Sequence, residues 1–481
     1  MSSLHLQLRD DISLDYEGDD LVISHKGGLN YKLHKANSEK KVLLNELKKN
    51  GGNISQLMAA VQREVADVSG ASIIMQLLRL EQTGLLTLSA RSDQKDLLIL
   101  QAFGSGMYRK HLPKEAEGMQ LRLSRFATLE PVNGLIQISV PMGCSRLVLM
   151  DNQIAPIITT MATPSSPEQL RSLLPVALKD KLDDVITLLL TSEVVDVCNS
   201  VGEIASEQKP AIKMWSYNDW HFHNNSRENK DNFSGSKIGF PWAGILPHPP
   251  AIKPVTESLI IELPKPKSQD YDPGFYQVLE SRRSIRDYAD SAISLDQLGR
   301  LLWYVNRIKQ LIPANQNDPN SYEASLRPVP SGGGMHEIEL YLTITNCIGI
   351  EPGLYRYDPL GHLLCKVSEM NDHCKLMLKY SRQAGMLKRS PDILITMAAR
   401  HGRVAWKYEG FAYALILKHV GVLYQQLYLV ATALDLAPCA IGNGNAEAFA
   451  KATGLDPFHE CSVGEFILGL PNKTIHDATT A

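Results

Sequence analysis

Six prolines crowd the middle of the chain: Pro247, Pro249, Pro250, Pro254, Pro264 and Pro266. Proline fixes φ and carries no backbone N–H, so it is excluded from helix interiors and central strands. This stretch therefore reads as an extended, semi-rigid arm that divides the 481 residues into two folding regions. The arm is placed at 206–269, because the aromatic run Trp215-Ser216-Tyr217-Asn218-Asp219-Trp220-His221-Phe222-His223 already departs from what precedes it. An arm so rich in rings and prolines is expected to wrap a neighbouring surface. His221 and His223 have no third ligand at a metal spacing, so they are read as packing or hydrogen-bonding residues, and no metal is expected.

Length suggests about three domains in all. Lys plus Arg is 49 and Asp plus Glu 52, so 49 − 52 = −3, and there is no global field to draw in DNA or RNA. Seven cysteines (Cys144, Cys198, Cys347, Cys365, Cys374, Cys439 and Cys461) include no CxxC pair, which points to reduced thiols. Residues 1–11 lack a signal-peptide pattern. The most apolar long stretch, 411–436, is interrupted by Lys418, His419, Gln425 and Gln426, and reads as a buried helix, not a membrane span. The expectation is a cytoplasmic protein without nucleic-acid or membrane partners.

Before the arm, one element order occurs twice. Strands around residues 21–33 precede a helix opened by Asn37 or Ser38 and carrying Val42, Leu43 and Leu47. A second helix carries Leu57, Val61 and Val65; a third carries Ile74, Leu77 and Leu78 and stops at Gly84; a strand follows at 85–88. The segment Ile136–Ser139 resembles Leu21–Ser24, helical patterns follow near 153–161, 167–174 and 183–192, and a strand closes at 194–197. Two winged-helix-like modules are expected, at 1–92 and 93–205. Their third helices are too poor in basic residues for phosphate contacts, so the groove between helix and sheet would receive a peptide as an added strand, or the modules would serve only packing.

Chemistry concentrates in the fourth region, 270–481. In Ser281-Arg282-Arg283-Ser284-Ile285-Arg286, three guanidinium forks and the Ser284 hydroxyl fall within five residues, a set suited to phosphate. A helix begins near Ser294. Pro330-Ser331-Gly332-Gly333-Gly334 lets backbone amides approach a ligand closely, or forms only a flexible loop before a strand at 338–345. Gly353-Leu354-Tyr355-Arg356-Tyr357 reads as a strand, 391–399 as another, and a long helix as running from about Trp406 to Leu436. Cys439-Ala440-Ile441-Gly442 marks its abrupt exit into a strand, and 466–471 is a last strand.

Across 270–475 this motif order resembles the flavin-dependent nitroreductase superfamily, and within it the SagB-type azoline dehydrogenases and cyanobactin oxidases, which often carry peptide-recognition modules in front. The resemblance implies an α+β fold in an intertwined homodimer, with FMN at the interface. Arg282, Arg283, Ser284 and Arg286 would hold its phosphate and ribityl. Pro330, Ser331, Gly332 and Gly333, from the second subunit, would lie along the flavin, and Ala440, Ile441 and Gly442 would lie near its ring. It also implies an azoline-bearing precursor peptide as substrate, a cyclodehydratase as a further partner, and Lys407-Tyr408 as the catalytic pair. The chain departs from the family at Glu337, where proline is usual, at Gln425-Gln426 and at Asp435. Lys473 is a further candidate for the phosphate.

Aromatising an azoline removes a proton from one ring carbon and a hydride from its neighbour. The implied cofactor takes the hydride at N5 and passes electrons to oxygen, and the protein supplies a base. A lysine in an apolar site is expected to have its pKa lowered towards that task. Lys407 and Tyr408 read equally as a snorkelling lysine beside a packed ring. A nicotinamide-fed nitro- or quinone reductase, and a peptide-binding scaffold without catalysis, are the other two readings.

Overall fold

The first three helices of the chain start where the sequence offers a cap. The structure, a computed structural model, describes residues 3–17, 20–25, 30–33, 36–102, 110, 119–141, 143–227, 239–267 and 273–472. The expected turn at Lys26-Gly27-Gly28 and the candidate Lys473 lie outside them. The chain forms two units, 1–236 and 237–481.

In the first unit, β1 (His5–Leu8) leads into a three-stranded meander of β2 (Ile12–Glu17), β3 (Asp20–His25) and β4 (Asn30–Leu33). The side chain of Asn37 accepts from the Lys40 amide and opens α1 (Ser38–Lys49). Asn53 and Gln56 form a capping box at the head of α2 (Ile54–Glu64). Ser69 caps α3 (Gly70–Gln82), and Gly84, at φ +76°, turns the chain into β5 (Leu86–Ser92). The apolar stripe of α3 differs from the expected one. Ile73, Leu77 and Glu81 are buried at spacing four, while Leu78 faces solvent.

The order then repeats. After β6 (Lys95–Ala102) come β7 (Gln120–Leu123) and a second meander, β8 (Thr128–Val132), β9 (Leu135–Ser139) and β10 (Ser145–Leu149). Then follow α4 (Ala155–Thr160), α5 (Pro167–Leu173), α6 (Leu182–Thr191) and β11 (Val195–Cys198). β7 pairs antiparallel with β11 just as β1 pairs with β5. The two sets do not stand apart. β10 bonds β6 on one side and β9 on the other, giving one sheet of order β1-β5-β6-β10-β9-β8. Leu6, Leu43, Leu100, Ile138 and Leu189 belong to one apolar cluster. The 92/93 boundary falls within the β5–β6 hairpin.

The expected arm is divided between the units. Its aromatic part forms α7 (Pro210–Lys213) and α8 (Tyr217–Asn225) in the first. There His221 stacks on Tyr217, and His223 packs against Trp215 and Trp220. Its proline part lies along the second unit, where β12 (Ile260–Glu262) pairs with β19 (Leu363–Glu369). The guanidinium of Arg356, wholly buried, donates to both carboxylate oxygens of Glu257 and to the Pro254 carbonyl. So the arginine of Gly-Leu-Tyr-Arg-Tyr fastens the arm.

The second unit is built on a seven-stranded antiparallel sheet of order β12-β19-β18-β16-β20-β22-β21. Its other strands are β16 (Ile338–Ile344), β18 (Gly353–Asp358), β20 (Ile393–Ala399), β21 (Ala437–Ile441) and β22 (Cys461–Gly469). Short strands β13 (Ile293–Ser294) and β17 (Cys347–Ile348) pair beside it, as do β14 (Gln310–Ile312) and β15 (Ala324–Leu326). Successive side chains of a strand leave opposite faces. Leu340 and Leu342 therefore join α10 (Leu295–Asn306) and α13 (Ala412–Ala433) in one cluster, while Tyr341 joins α11 (Asp372–Ala384) and α14 (Ala446–Thr453) in another. The α+β expectation holds for this unit, with helices on both faces. α9 (Phe275–Ser281) precedes the arginine cluster.

The helix expected from about Trp406 begins later, at Ala412. α12 (His401–Ala405) stops, and α13 begins seven residues later, because Gly410 at φ +73° turns the chain. Lys407 and Tyr408 sit in that turn. By length and composition α13 could cross a membrane, yet Ile416, Val420, Leu423, Leu427 and Ala431 are buried in the unit's core. Asp435, one of the departures from the family, adopts φ +54° just beyond α13.

Candidate functional site

α13 positions two groups of residues. Near its C-terminal end stands the arginine cluster. Ser284 Oγ lies 2.7 Å from Tyr428 Oη, and that oxygen accepts the Ala440 amide at 2.8 Å. The Ile285 amide donates to the Pro438 carbonyl at 2.9 Å. The Arg282 guanidinium lies 5.2 Å from the centre of the Tyr428 ring. The sequence-predicted sets Arg282–Arg286 and Ala440–Gly442 are thus brought together, with Tyr428 as the bridge. Arg283 and Arg286 are exposed, and among the described residues none of the three arginines pairs with a carboxylate.

Beyond Ala440, Ile441 is buried, and its carbonyl accepts from Tyr424 Oη at 3.1 Å. A Cβ on Gly442 would meet nothing within 4 Å. Ile441, Gly442, Tyr424 and Glu465 line a cleft of about 180 Å³. Burial pushes the Glu465 carboxyl up to about 7.

The second group surrounds the glycine segment. His419, one to two turns into α13, takes the Gly332 amide on Nε2 at 2.8 Å. Its Nδ1 lies 2.6 Å from Glu337 Oε1, so the ring is the neutral tautomer donating to Glu337 from Nδ1. The Ser331 hydroxyl accepts from the His336 amide at 3.0 Å. Glu337, a departure from the family, is fully buried and anchors this arrangement. Gly333, at φ +64°, gives its carbonyl to Tyr322 Oη at 3.1 Å. From His419 to Tyr428 the helix rises about 14 Å, which sets the spacing between the residues that anchor the two groups.

Lys407 faces the second group. Its Nζ donates to Tyr322 Oη at 3.0 Å and stands over the rings of Phe240, Tyr322 and Tyr408 at 5.1 to 5.3 Å. The expected lowering of its pKa is corrected here. Burial does act downward, but the hydrogen bond to Tyr322 and the attraction of Tyr322 and Tyr408 for the cation raise it on balance. The reason is incomplete burial, which leaves the phenol contacts in control. Tyr408 packs edge-on against Phe411.

The arm closes over this turn. The Phe240 amide donates to the Lys407 carbonyl at 3.2 Å, and His248 stacks on Tyr322 with ring centres 4.9 Å apart. The buried Arg403 guanidinium donates to the carbonyls of Met335, Glu323 and Pro249, tying the glycine loop, the Tyr322 loop and the arm to α12. Tyr322, Tyr428, Glu465 and Arg403 were missed in the sequence, where no local spacing marks them. His419 was seen only as a break in an apolar run.

Residues 279–469 match the model of the Nitroreductase family, so the second unit carries a nitroreductase domain, an oxidoreductase class whose members bind flavin. Residues 121–232 match a second model, Cyanobactin oxidase ThcOx, and within the superfamily the chain is similar to the SagB-type and cyanobactin oxidases. Among curated proteins, the nitroreductase-family protein MJ1384 of Methanocaldococcus jannaschii is 27% identical over 165 residues, 34% of this chain and 76% of the relative. Solved structures that match the chain include a nitroreductase-type protein of Anabaena variabilis, 14% identical over 86% of this chain and 91% of that one, with a TM-score of 0.37. Another is the Escherichia coli microcin synthetase McbBCD complex with truncated pro-MccB17 bound, 21% identical over 44% and 78%, with a TM-score of 0.34.

Proposed function

We propose that this chain is an FMN-dependent dehydrogenase that converts thiazolines or oxazolines in a ribosomal peptide to thiazoles or oxazoles, its electrons passing to oxygen. The observation that carries this reading is the placing of Lys407, an ionisable side chain, against the glycine segment through Tyr322.

The residues present fit the cofactor. Among the described residues Arg282, Arg283 and Arg286 have no carboxylate partners, so these cations suit its phosphate; Ser284 adds a hydroxyl, and open space at Gly442 suits a flat ring beside the Ala440–Gly442 backbone. When bound, the flavin supplies the two-electron acceptor that aromatisation requires. Lys407 would take the proton from the azoline ring carbon. It must first shed its own, and its raised pKa means turnover should climb with pH. Tyr408, next in the turn, would border the ring. Pro330, Ser331, Gly332 and Gly333 would line the flavin of a second subunit in a homodimer. The first unit would hold the precursor peptide by strand addition. There, among the described residues, β4 is bonded to β3 alone, whereas its counterpart β10 is bonded on both sides. A cyclodehydratase supplying the azolines, in the cytoplasm, completes the proposal.

Mass spectrometry of an azoline-bearing peptide incubated with the full chain tests it. The expected product is lighter by about two mass units per ring, with the protein yellow from bound FMN. Lys407→Ala should keep the flavin and abolish the mass change. A protein that takes up no FMN, or a peptide of unchanged mass, would overturn the reading. The Nitroreductase match alone favours a second one, a nitro- or quinone reductase. Rapid bleaching of bound flavin by NAD(P)H, without action on azoline peptides, would establish that instead.

A further inference from the structure

Tyr322 lies 85 residues from Lys407 in sequence, yet its hydroxyl is the hydrogen-bond partner of the lysine ammonium at 3.0 Å. That hydroxyl donates onward to the Gly333 carbonyl at 3.1 Å. The ring is held on its other side by His248, stacked with centres 4.9 Å apart, and edge-on by Trp406 at 6.2 Å. Gly333 is matched to this contact. A Cβ there would come within 2.4 Å of the Tyr322 oxygen, and the residue adopts φ +64°. Lysine, phenol and glycine carbonyl form a directed chain, Nζ–H to Oη and O–H to the carbonyl.

We propose that Tyr322 is the positioning residue of Lys407, holding the amine at a fixed distance from the glycine segment. The proposal rests on the reading of Lys407 as the proton-accepting group and adds a third member to that pair. Tyr408, its neighbour in the turn, presents its ring to Lys407 at 5.3 Å and adds a smaller upward pull on its pKa, while the bond of defined geometry, at 3.0 Å, is to Tyr322.

The surroundings leave the phenol in control. The groups facing Lys407 are Tyr322 from the loop before β15, Tyr408 from its own turn and the Phe240 ring from the arm. Behind Tyr322 stands His248, which burial and the Arg403 guanidinium hold down to about 4, so it is neutral wherever the lysine titrates. Arg403 spends its donors on three carbonyls, and the carboxylate of Glu323 accepts the Ala251 amide. A hydrogen bond made to the charged form of a base favours that form, so removing the hydroxyl should ease deprotonation while loosening the amine.

The test is Tyr322→Phe, which keeps the ring and its packing on His248 and Trp406. Lys407 is half-buried and open to reagent, so acetic anhydride labelling across pH, read by peptide mass spectrometry, reports its free-amine fraction without cofactor or substrate. The labelling midpoint should move to lower pH in the variant. In azoline turnover the rising limb should move the same way, and the plateau should fall by about ten-fold or more, as misplacement of a reacting group predicts. An unmoved midpoint, or an unchanged limb and plateau, overturns the role of Tyr322. If Lys407→Ala retains full turnover while the labelling shift is present, the reading of Lys407 as base has failed and the Tyr322 contact stands.

Discussion

Glu337 Oε1 and His419 Nδ1 lie 2.6 Å apart inside the second unit, and the far nitrogen of the same imidazole holds the Gly332 amide. A residue that departs from the family thus carries the histidine that fixes the glycine segment. Glu337→Leu would leave the Nδ1–H of His419 buried without an acceptor. Leaving a buried neutral donor without its acceptor typically costs about 1–3 kcal/mol. Urea unfolding should show a loss of that order, and a loss below about 1 kcal/mol would mean the pair is not fixed.

Tyr428 joins Ser284 to the Ala440 amide through one oxygen. Tyr428→Phe keeps the ring under Arg282 but deletes both bonds. Stability should fall by about 1–3 kcal/mol, the range for a polar group left without its partner. Titration with FMN, followed by fluorescence quenching, should show weaker binding. Unchanged affinity would separate the arginine cluster from the Ala440–Gly442 segment.

Gly333→Ala puts a side chain at φ +64° and a Cβ at 2.4 Å from Tyr322 Oη. The left-handed backbone alone should cost about 1–2 kcal/mol. Tyr322 must also swing away, so Lys407 should label at lower pH, as in the phenylalanine variant. Thermal denaturation and the labelling curve check the two effects separately.

Burial holds the Glu465 carboxyl at about 7, above its ordinary 4.5. Between those values the folded protein keeps a proton that the unfolded chain has released. The stability this group contributes is complete below pH 4.5 and is lost as the pH rises to about 7. Its size is of order 3 kcal/mol. His248 and His336, held down to about 4 and about 3 by burial, act oppositely: they lose stability as the pH falls below 6.5. The difference between wild type and Glu465→Gln isolates the carboxyl, and should shrink steadily from pH 4.5 to 7. A flat difference would place the carboxyl in solvent.

Arg403 binds carbonyls from three separate segments, at Met335, Glu323 and Pro249. An ammonium has no planar fork, so Arg403→Lys cannot reproduce the set. Limited proteolysis should then cut the arm between residues 240 and 250 at least several-fold faster. Equal cutting rates would show that the arm is held by its prolines and rings alone.

What the sequence revealed was mostly local. Ser294 and Gln297 announce α10 because a capping box is written three residues apart. Strands 338–344 and 393–399 are legible as apolar runs. The true start of α13 was not, since a single glycine is compatible with a helix and the φ of +73° at Gly410 becomes visible only in the fold. The arginine cluster and the glycine segment were legible as donor-rich sequences. Their fasteners were not: Tyr428 stands 144 residues from Ser284, and His419 stands 82 from Glu337. No periodicity links such pairs. The stripe of α3 was misplaced by one residue because Leu77 fits both the expected face and the real one.

The tether from Gly332 to His419 also bears on energetics. A loop of three consecutive glycines has the largest conformational freedom a backbone can have, and ordering it is costly wherever that ordering occurs. Here the imidazole, itself locked by a buried carboxylate, orders it as the chain folds. Any flat ligand that meets residues 330–333 finds its receptor already rigid, so its affinity is not reduced by a disorder-to-order step, and its arrival need not be slow.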